Sequence, residues 1–158
     1  MKREVKYGQD RMIATWAADQ IGAGGGFSSD VRAIGLEHDG ELVAAVMWDY
    51  ITKYNCVMSV ASDGKSRWMS RDFLYRAFYY PFGQLNLRVI TCLIAENNAP
   101  SLKLCKHIGF KIIGENESGR IPHGSGDYDD IVLCMKKEDC RWISRDMAKH
   151  AVKLDEGA

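Results

Sequence analysis

Residues 87–115 read LRVITCLIAENNAPSLKLCKHIGFKIIGE, and no other stretch constrains the fold as tightly. The run at 87–95 is almost wholly apolar and rich in β-branched residues, the pattern of a strand buried on both faces. A polar break follows. Asn98 is a strong N-cap residue, and Pro100 is tolerated in a first helical turn, where its missing N–H has no partner to lose. Gly109 can take the left-handed conformation that ends a helix, and Phe110 then returns to the core. A second strand, KIIGE, begins at once. A short helix must therefore lie across a sheet between two of its strands. A plain structural corner accounts for Asn98, Pro100 and Gly109 by itself.

The flanking sequence extends that sheet. Residues 3–7 read as a short first strand. Ile13, Trp16, Ala17 and Ile21 fall at helical spacing and predict an amphipathic helix over 9–21. GAGGGFSSD, residues 22–30, stops that helix and opens a glycine-rich connection, either a plain linker or the rim of a substrate cleft. In VRAIGLEHDGELVAAVMWDY, Asp39-Gly40 sits between two apolar runs, as a tight hairpin turn requires. NCVMSVAS, residues 55–62, is a third strand of the same meander. The period then changes, and Trp68, Met69, Phe73, Ala77 and Tyr80 mark a helical face that Pro81 is expected to halt. GRIPHGSGDYDD is a polar loop, and IVLCMKK is a last strand. The order predicts an α+β fold, an α/β sandwich of helices on one mostly antiparallel sheet. A chain of 158 residues suits one domain. Residues 1–142 form it, and residues 143–158 are a helical or frayed extension. Its thin stripe of Ile143, Met147, Ala151 and Leu154 offers a docking face for the body or a second copy, so a homodimer is the oligomer to expect.

Composition removes several classes of function. Twenty-one basic residues balance 21 acidic ones, without the basic excess of a nucleic-acid binder. Apolar runs fall short of the roughly 18–20 residues that span a bilayer. The N-terminus MKREVKYGQD lacks the apolar core of a signal peptide, so a cytoplasmic protein with no membrane or nucleic-acid partner is expected. Five cysteines, with no C-x-x-C pair, read as small buried hydrophobes in a reducing compartment. The four histidines are scattered, and no metal site is expected.

The stretch from Asn98 through Ser101 and Cys105 to Gly109-Phe110, set between two strands, resembles the fourth-helix motif of the GNAT acetyltransferase superfamily. RWMSRDFLYRAFYYPFGQLNLRVITCLI is similar to the helix and strand that precede it there. The flavour is closest to the branch that acetylates ribosomal-protein N-termini, with its bacterial and phage relatives, and the trailing CMKKEDCRWI fits that branch. The resemblance runs from about Val31 to Trp142.

It implies a GNAT-type sheet with a V-shaped splay between the fourth and fifth strands, and acetyl-CoA as co-substrate. Backbone groups at Ser59, Val60 and Ala61 would hold the pantetheine arm like an added strand. The helix just after the fourth strand would receive the pyrophosphate, placing Gly64, Lys65, Ser66, Arg67 and Trp68 at that turn. Asn98 and Ser101 would touch the far side of the cofactor. The implied reaction is direct attack of a primary amine on the thioester, with the acceptor undefined. Cys105 stands where many relatives carry a Tyr acid, and a thiol can donate a proton. Leu93 stands where some carry a Glu base, which leaves Glu96, Glu37, His123, Asp130 or a water chain as candidates, Glu96 first. Asp127, Asp129 and Asp130 form an acidic cluster, either an attractor for a cationic amine or a charge-blunted strand end. Two further readings stay open. One is a GNAT-fold protein without catalysis that serves in binding or assembly, phage-encoded for example. The other is a nucleotide-binding domain, against which stands the lack of a P-loop or of a G-x-G-x-x-G after a strand.

Overall fold

The computed structural model describes residues 1–21, 26–117 and 128–143. Alternating and apolar runs become seven strands: β1 (Arg3–Lys6), β2 (Arg32–His38), β3 (Glu41–Asp49), β4 (Asn55–Ser62), β5 (Val89–Ala95), β6 (Lys111–Asn116) and β7 (Asp130–Lys136). Between them lie α1 (Asp10–Ile21), α2 (Arg71–Phe78) and α3 (Ala99–Ile108). Asp39 and Gly40 take φ of 52° and 86°, the paired left-handed conformations of a tight hairpin turn between β2 and β3. The strands form one sheet in the order β1-β2-β3-β4-β5-β7-β6. Every neighbouring pair is antiparallel except β4–β5, which is parallel. The fold class read from the sequence stands.

Helices cover both faces. On one, α1 buries Ile13, Ala14 and Ala17 against Ala33, Ala45, Met47 and Ala61. Small residues let the helix sit close, and Gly35 is part of that fit: a Cβ there would stand 2.6 Å from Leu42 and 3.3 Å from Ile13. On the other face, Phe73 and Phe78 of α2 join Ile108, Phe110, Trp48, Ile90 and Leu133 in the larger core. The last described segment caps α3 from outside. Arg141 donates to the His107 carbonyl at 2.7 Å, and Trp142 Nε1 donates to the Ile108 carbonyl at 2.8 Å. Both fill acceptors that a helix end leaves open.

Two expectations about α2 are corrected. The helix does not begin just after β4. It begins at Arg71, so Trp68 and Met69 precede it and Met69 is exposed. The reason is local competition. The Asp63 carboxylate accepts from the Lys65 and Ser66 amides, both at 2.9 Å, and folds residues 63–66 into a turn. Ser70 is the N-cap instead, its hydroxyl accepting from Phe73 N at 3.1 Å.

Nor does Pro81 halt the helix. The chain continues from α2 through a π-helical turn, Tyr79–Gln84, with Pro81 buried inside it. A proline in a helix deprives the carbonyl four residues back of its donor, here Ala77. That carbonyl accepts instead from Trp48 Nε1 at 3.2 Å. A fully buried tryptophan on β3 thus supplies the donor that Pro81 lacks. Trp48→Phe leaves the carbonyl buried and unsatisfied, and should lower the unfolding free energy by about 1–3 kcal/mol. A lower urea midpoint at unchanged m-value would report it.

Candidate active site

Parallel pairing of β4 with β5 holds for three positions, Asn55↔Val89, Cys56↔Ile90 and Val57↔Thr91. Among the described residues it goes no further. β4 runs on with β3 as far as Ala44↔Ser62, and β5 runs on with β7 as far as Ala95↔Asp130. The two central strands part, as the V-shaped splay requires. A cleft of about 510 Å³ opens between them.

The cleft gathers most of the residues singled out in the sequence. Ser59, Val60 and Ala61 line one wall from the open edge of β4, and Trp68 lines the cleft as well. Asn98, Ser101 and Cys105 line the opposite wall from α3. The Asn98 side chain accepts from Ser101 N at 3.3 Å, so the N-cap and the cleft wall are the same group. Past Cys105 the helix ends as its sequence predicts. Gly109 takes φ 125°, its amide bonds the Lys106 carbonyl at 3.1 Å, and Phe110 N bonds the Cys105 carbonyl at 3.0 Å. Phe27 reaches the cleft from the other side of the sheet, where its segment is anchored. Asp49, 2% exposed, accepts from Ser28 N at 2.8 Å and from the Ser28 hydroxyl.

Other candidates lie elsewhere. Gly64, Lys65, Ser66 and Arg67 sit at the turn beyond β4 and, unlike Trp68, do not line the cleft. With the Lys65 and Ser66 amides committed to Asp63, the turn presents side-chain cations rather than a helix N-terminus. Glu96 is exposed beyond the end of β5, where its carboxylate gathers with Glu115 and Asp129 within 4.8 Å of one another. Glu37 pairs with Lys6 at 3.8 Å on the β1–β2 side of the sheet, well removed from the cleft. His123, Asp127, most of the loop at 117–128, Gly22–Gly25 and residues 144–158 lie outside the described residues.

Two features of the site go beyond what the sequence predicts. Asp130 is 1% exposed and lines the cleft at the head of β7, so its solvated strand-end reading is corrected. An acid opening the apolar run IVLC was the available signal. The second is Cys92, on β5, facing Cys105 across the cleft wall. A hydrogen bond from the Cys92 thiol holds the Cys105 thiol below the usual range, while that bond and burial push Cys92 well above it. Burial alone pushes Cys56 up to about 12. Nothing in the sequence sets two thiols thirteen residues apart into contact; only the β5–α3 packing does.

No family model matches the sequence, and no curated protein matches it. Solved structures do. A mutant of spermidine N-acetyltransferase SpeG from Vibrio cholerae superimposes with a TM-score of 0.68 at 14% identity, over 91% of this chain and 98% of that one. N-acetyltransferase PseH from Campylobacter jejuni, in complex with acetyl coenzyme A, gives 0.53 at 16% identity, over 69% of this chain and 70% of that one. The fold is that of the GNAT N-acetyltransferases. At such identities the likeness is one of architecture, and the side chains must speak for the chemistry.

The thiol pair gives a direct check. Iodoacetamide should modify Cys105 at lower pH than any other cysteine, because the thiolate is the nucleophile. Cys92→Ala removes the stabilising donor and should move the midpoint of the Cys105 rate–pH profile upward. Peptide mapping by mass spectrometry reads both, and an unmoved midpoint would show that the two thiols are not coupled.

Proposed function

We propose that the chain is an acetyl-CoA-dependent N-acetyltransferase that acts on a primary amine arriving as a cation. The parting of β4 from β5 after three pairs carries this reading. It leaves one strand edge open beside an apolar-walled cleft, which fits an extended amide-bearing arm adding as a further strand. Acetyl-CoA, when bound, supplies the thioester. The residues of this chain do the rest.

The β4 edge at Ser59–Ala61 holds the arm and turns backbone N–H donors toward the oxygen that gains charge. Asn98 and Ser101 form the facing wall. Lys65 and Arg67, beyond the end of β4, attract the pyrophosphate through their side chains. Asp130, buried in the wall, favours an ammonium group and orients it, with Glu96, Glu115 and Asp129 adding negative field beyond β5. The amine must shed a proton before attack, and Asp130 is the acid-base group best placed in the cleft to relay it. Cys105 gives a proton to the departing thiolate. Breaking the thioester C–S bond and forming the C–N bond leaves an amide and a CoA thiol.

The inactive-scaffold reading is not favoured, since the cleft keeps an open strand edge and carries a buried carboxylate in its wall. Among the described residues, no helix is long and apolar enough to cross a membrane. A cytoplasmic setting and the ribosomal-protein N-terminal branch remain part of the proposal. Spermidine and a peptide with a free N-terminus are therefore the first two acceptors to offer.

Calorimetry tests the reading. Acetyl-CoA should bind without acceptor, at micromolar affinity; desulfo-CoA should bind too, and ATP much more weakly. No binding of acetyl-CoA would overturn the proposal. Lys65→Ala with Arg67→Ala should weaken acetyl-CoA but leave acetyl-pantetheine, which lacks the diphosphate, unchanged. Asp130→Asn should raise KM for the cationic acceptor by roughly ten- to a hundredfold, the loss of a hydrogen bond to a charged group, at unchanged acetyl-CoA affinity. Cys105→Ala should lower kcat and leave acetyl-CoA affinity alone; full turnover would reduce Cys105 to packing.

A further inference from the structure

A second cavity, of about 650 Å³, lies on the opposite side of α2 from the cleft, and the two have no lining residue in common. Rings form much of its wall: Trp48 from β3, Tyr75 from α2, and Tyr79 and Tyr80 from the π-helical turn. We propose that this cavity is a binding site for a neutral, planar heteroaromatic ring.

The first support is ring geometry. Tyr75 and Tyr79 stack with centroids 5.3 Å apart and planes 16° from parallel, and Trp48 meets Tyr80 at 4.8 Å and 49°. Faces and edges so arranged favour a further flat ring, which gains dispersion and quadrupole attraction that a saturated ring of equal size does not. Tyr79 is 41% exposed, so its ring is within reach of a guest.

The second is how the wall is made. A π-helical turn is uncommon, and it brings Tyr79, Tyr80 and Gln84 to one cavity. Gly83 fixes the placement. A Cβ there would stand 2.4 Å from the Tyr79 ring, so the ring lies where any larger residue would collide with it.

The third is charge. Arg76 is held by both Asp72 oxygens at 3.2 Å and donates to the Tyr7 hydroxyl at 2.5 Å. Arg32 pairs with Asp10 at 3.5 Å. Each guanidinium is matched by a carboxylate, so the cavity has no unpaired charge among these groups to recruit an ion. The Gln84 amide can donate and accept, which suits the polar edge of a heterocycle.

Titration of the full chain, followed by NMR at the indole and amide resonances, tests this with indole, cyclohexanol and tetramethylammonium as probes. Indole should give saturable shifts at Trp48 Nε1 and in residues 79–84, with cyclohexanol and tetramethylammonium at least tenfold weaker. Gly83→Val, which displaces the Tyr79 ring, should raise the indole Kd at least tenfold. Tyr79→Ala, at a side chain outside the core, should do the same and stands in if the first variant fails to fold. Equal binding of cyclohexanol would reveal a plain apolar hollow, and preferential binding of tetramethylammonium a cation cage; either overturns the proposal. So does indole binding that maps to the cleft, or none at all.

Discussion

The structure depends on a divided allegiance of two strands. β4 and β5 are parallel neighbours, yet each has an antiparallel partner on its outer side, and those outer ladders run longer. Sheet twist rotates neighbours relative to one another, and of the three ladders the parallel one is the shortest. After three pairs, β4 goes with β3 and β5 goes with β7. The cleft, its backbone-lined edge and the seating of α3 on the opposite wall all follow from that division.

α2 links this opening to the rest of the molecule. Leu74 and Ala77 face the cleft, while Tyr75 and Arg76 face the second cavity. Pro81 opens the helix into a π turn, which would leave the Ala77 carbonyl wanting if Trp48 did not donate to it. One hydrogen bond from β3 thereby permits an irregular helix end, and that irregular end places the tyrosines. The same indole is part of the cavity wall. Core, cleft and cavity meet in two residues, which is why a proline that sequence reasoning takes as a stop is tolerated within a continuing helix.

The sequence made the local geometry legible where one residue decides it. Asp39-Gly40, Asn98 and Gly109 each act through their own backbone preferences and are found as read, and the β-branched run of β5 is a strand as read, but it buries only alternate residues, Ile90, Cys92 and Ile94, because its other face borders the cleft. The parted strands entered through a resemblance rather than through any residue, since pairing is a property of partners. The N-terminus of α2 was misplaced because two capping groups compete within eight residues, and the Asp63 carboxylate captures the amides that a helix start would have left for phosphate. Trp48 reads from sequence as one more core aromatic, since its partner lies 29 positions away. Asp130 is visible as an acid heading an apolar strand, but its burial arises only where β7 is flanked by β5 and β6.

The thiol pair bears on how a cysteine can stand where the resemblance places a tyrosine. In the proposed reaction the donor must give a proton to a leaving thiolate, and a phenol, with an ordinary pKa of about 10, starts uphill of a thiol near 8.5. Cys105 starts lower still, because its anion accepts a hydrogen bond from Cys92. Cys92 keeps its own proton, since burial and that same bond both oppose its ionisation. The donor of the pair therefore stays a donor when Cys105 becomes an anion, and the charge produced by the transfer is met by a group already in place. In the proposed reaction Cys105 thus takes its hydrogen-bond donor from the strand behind it, and both sulfurs line the same cleft.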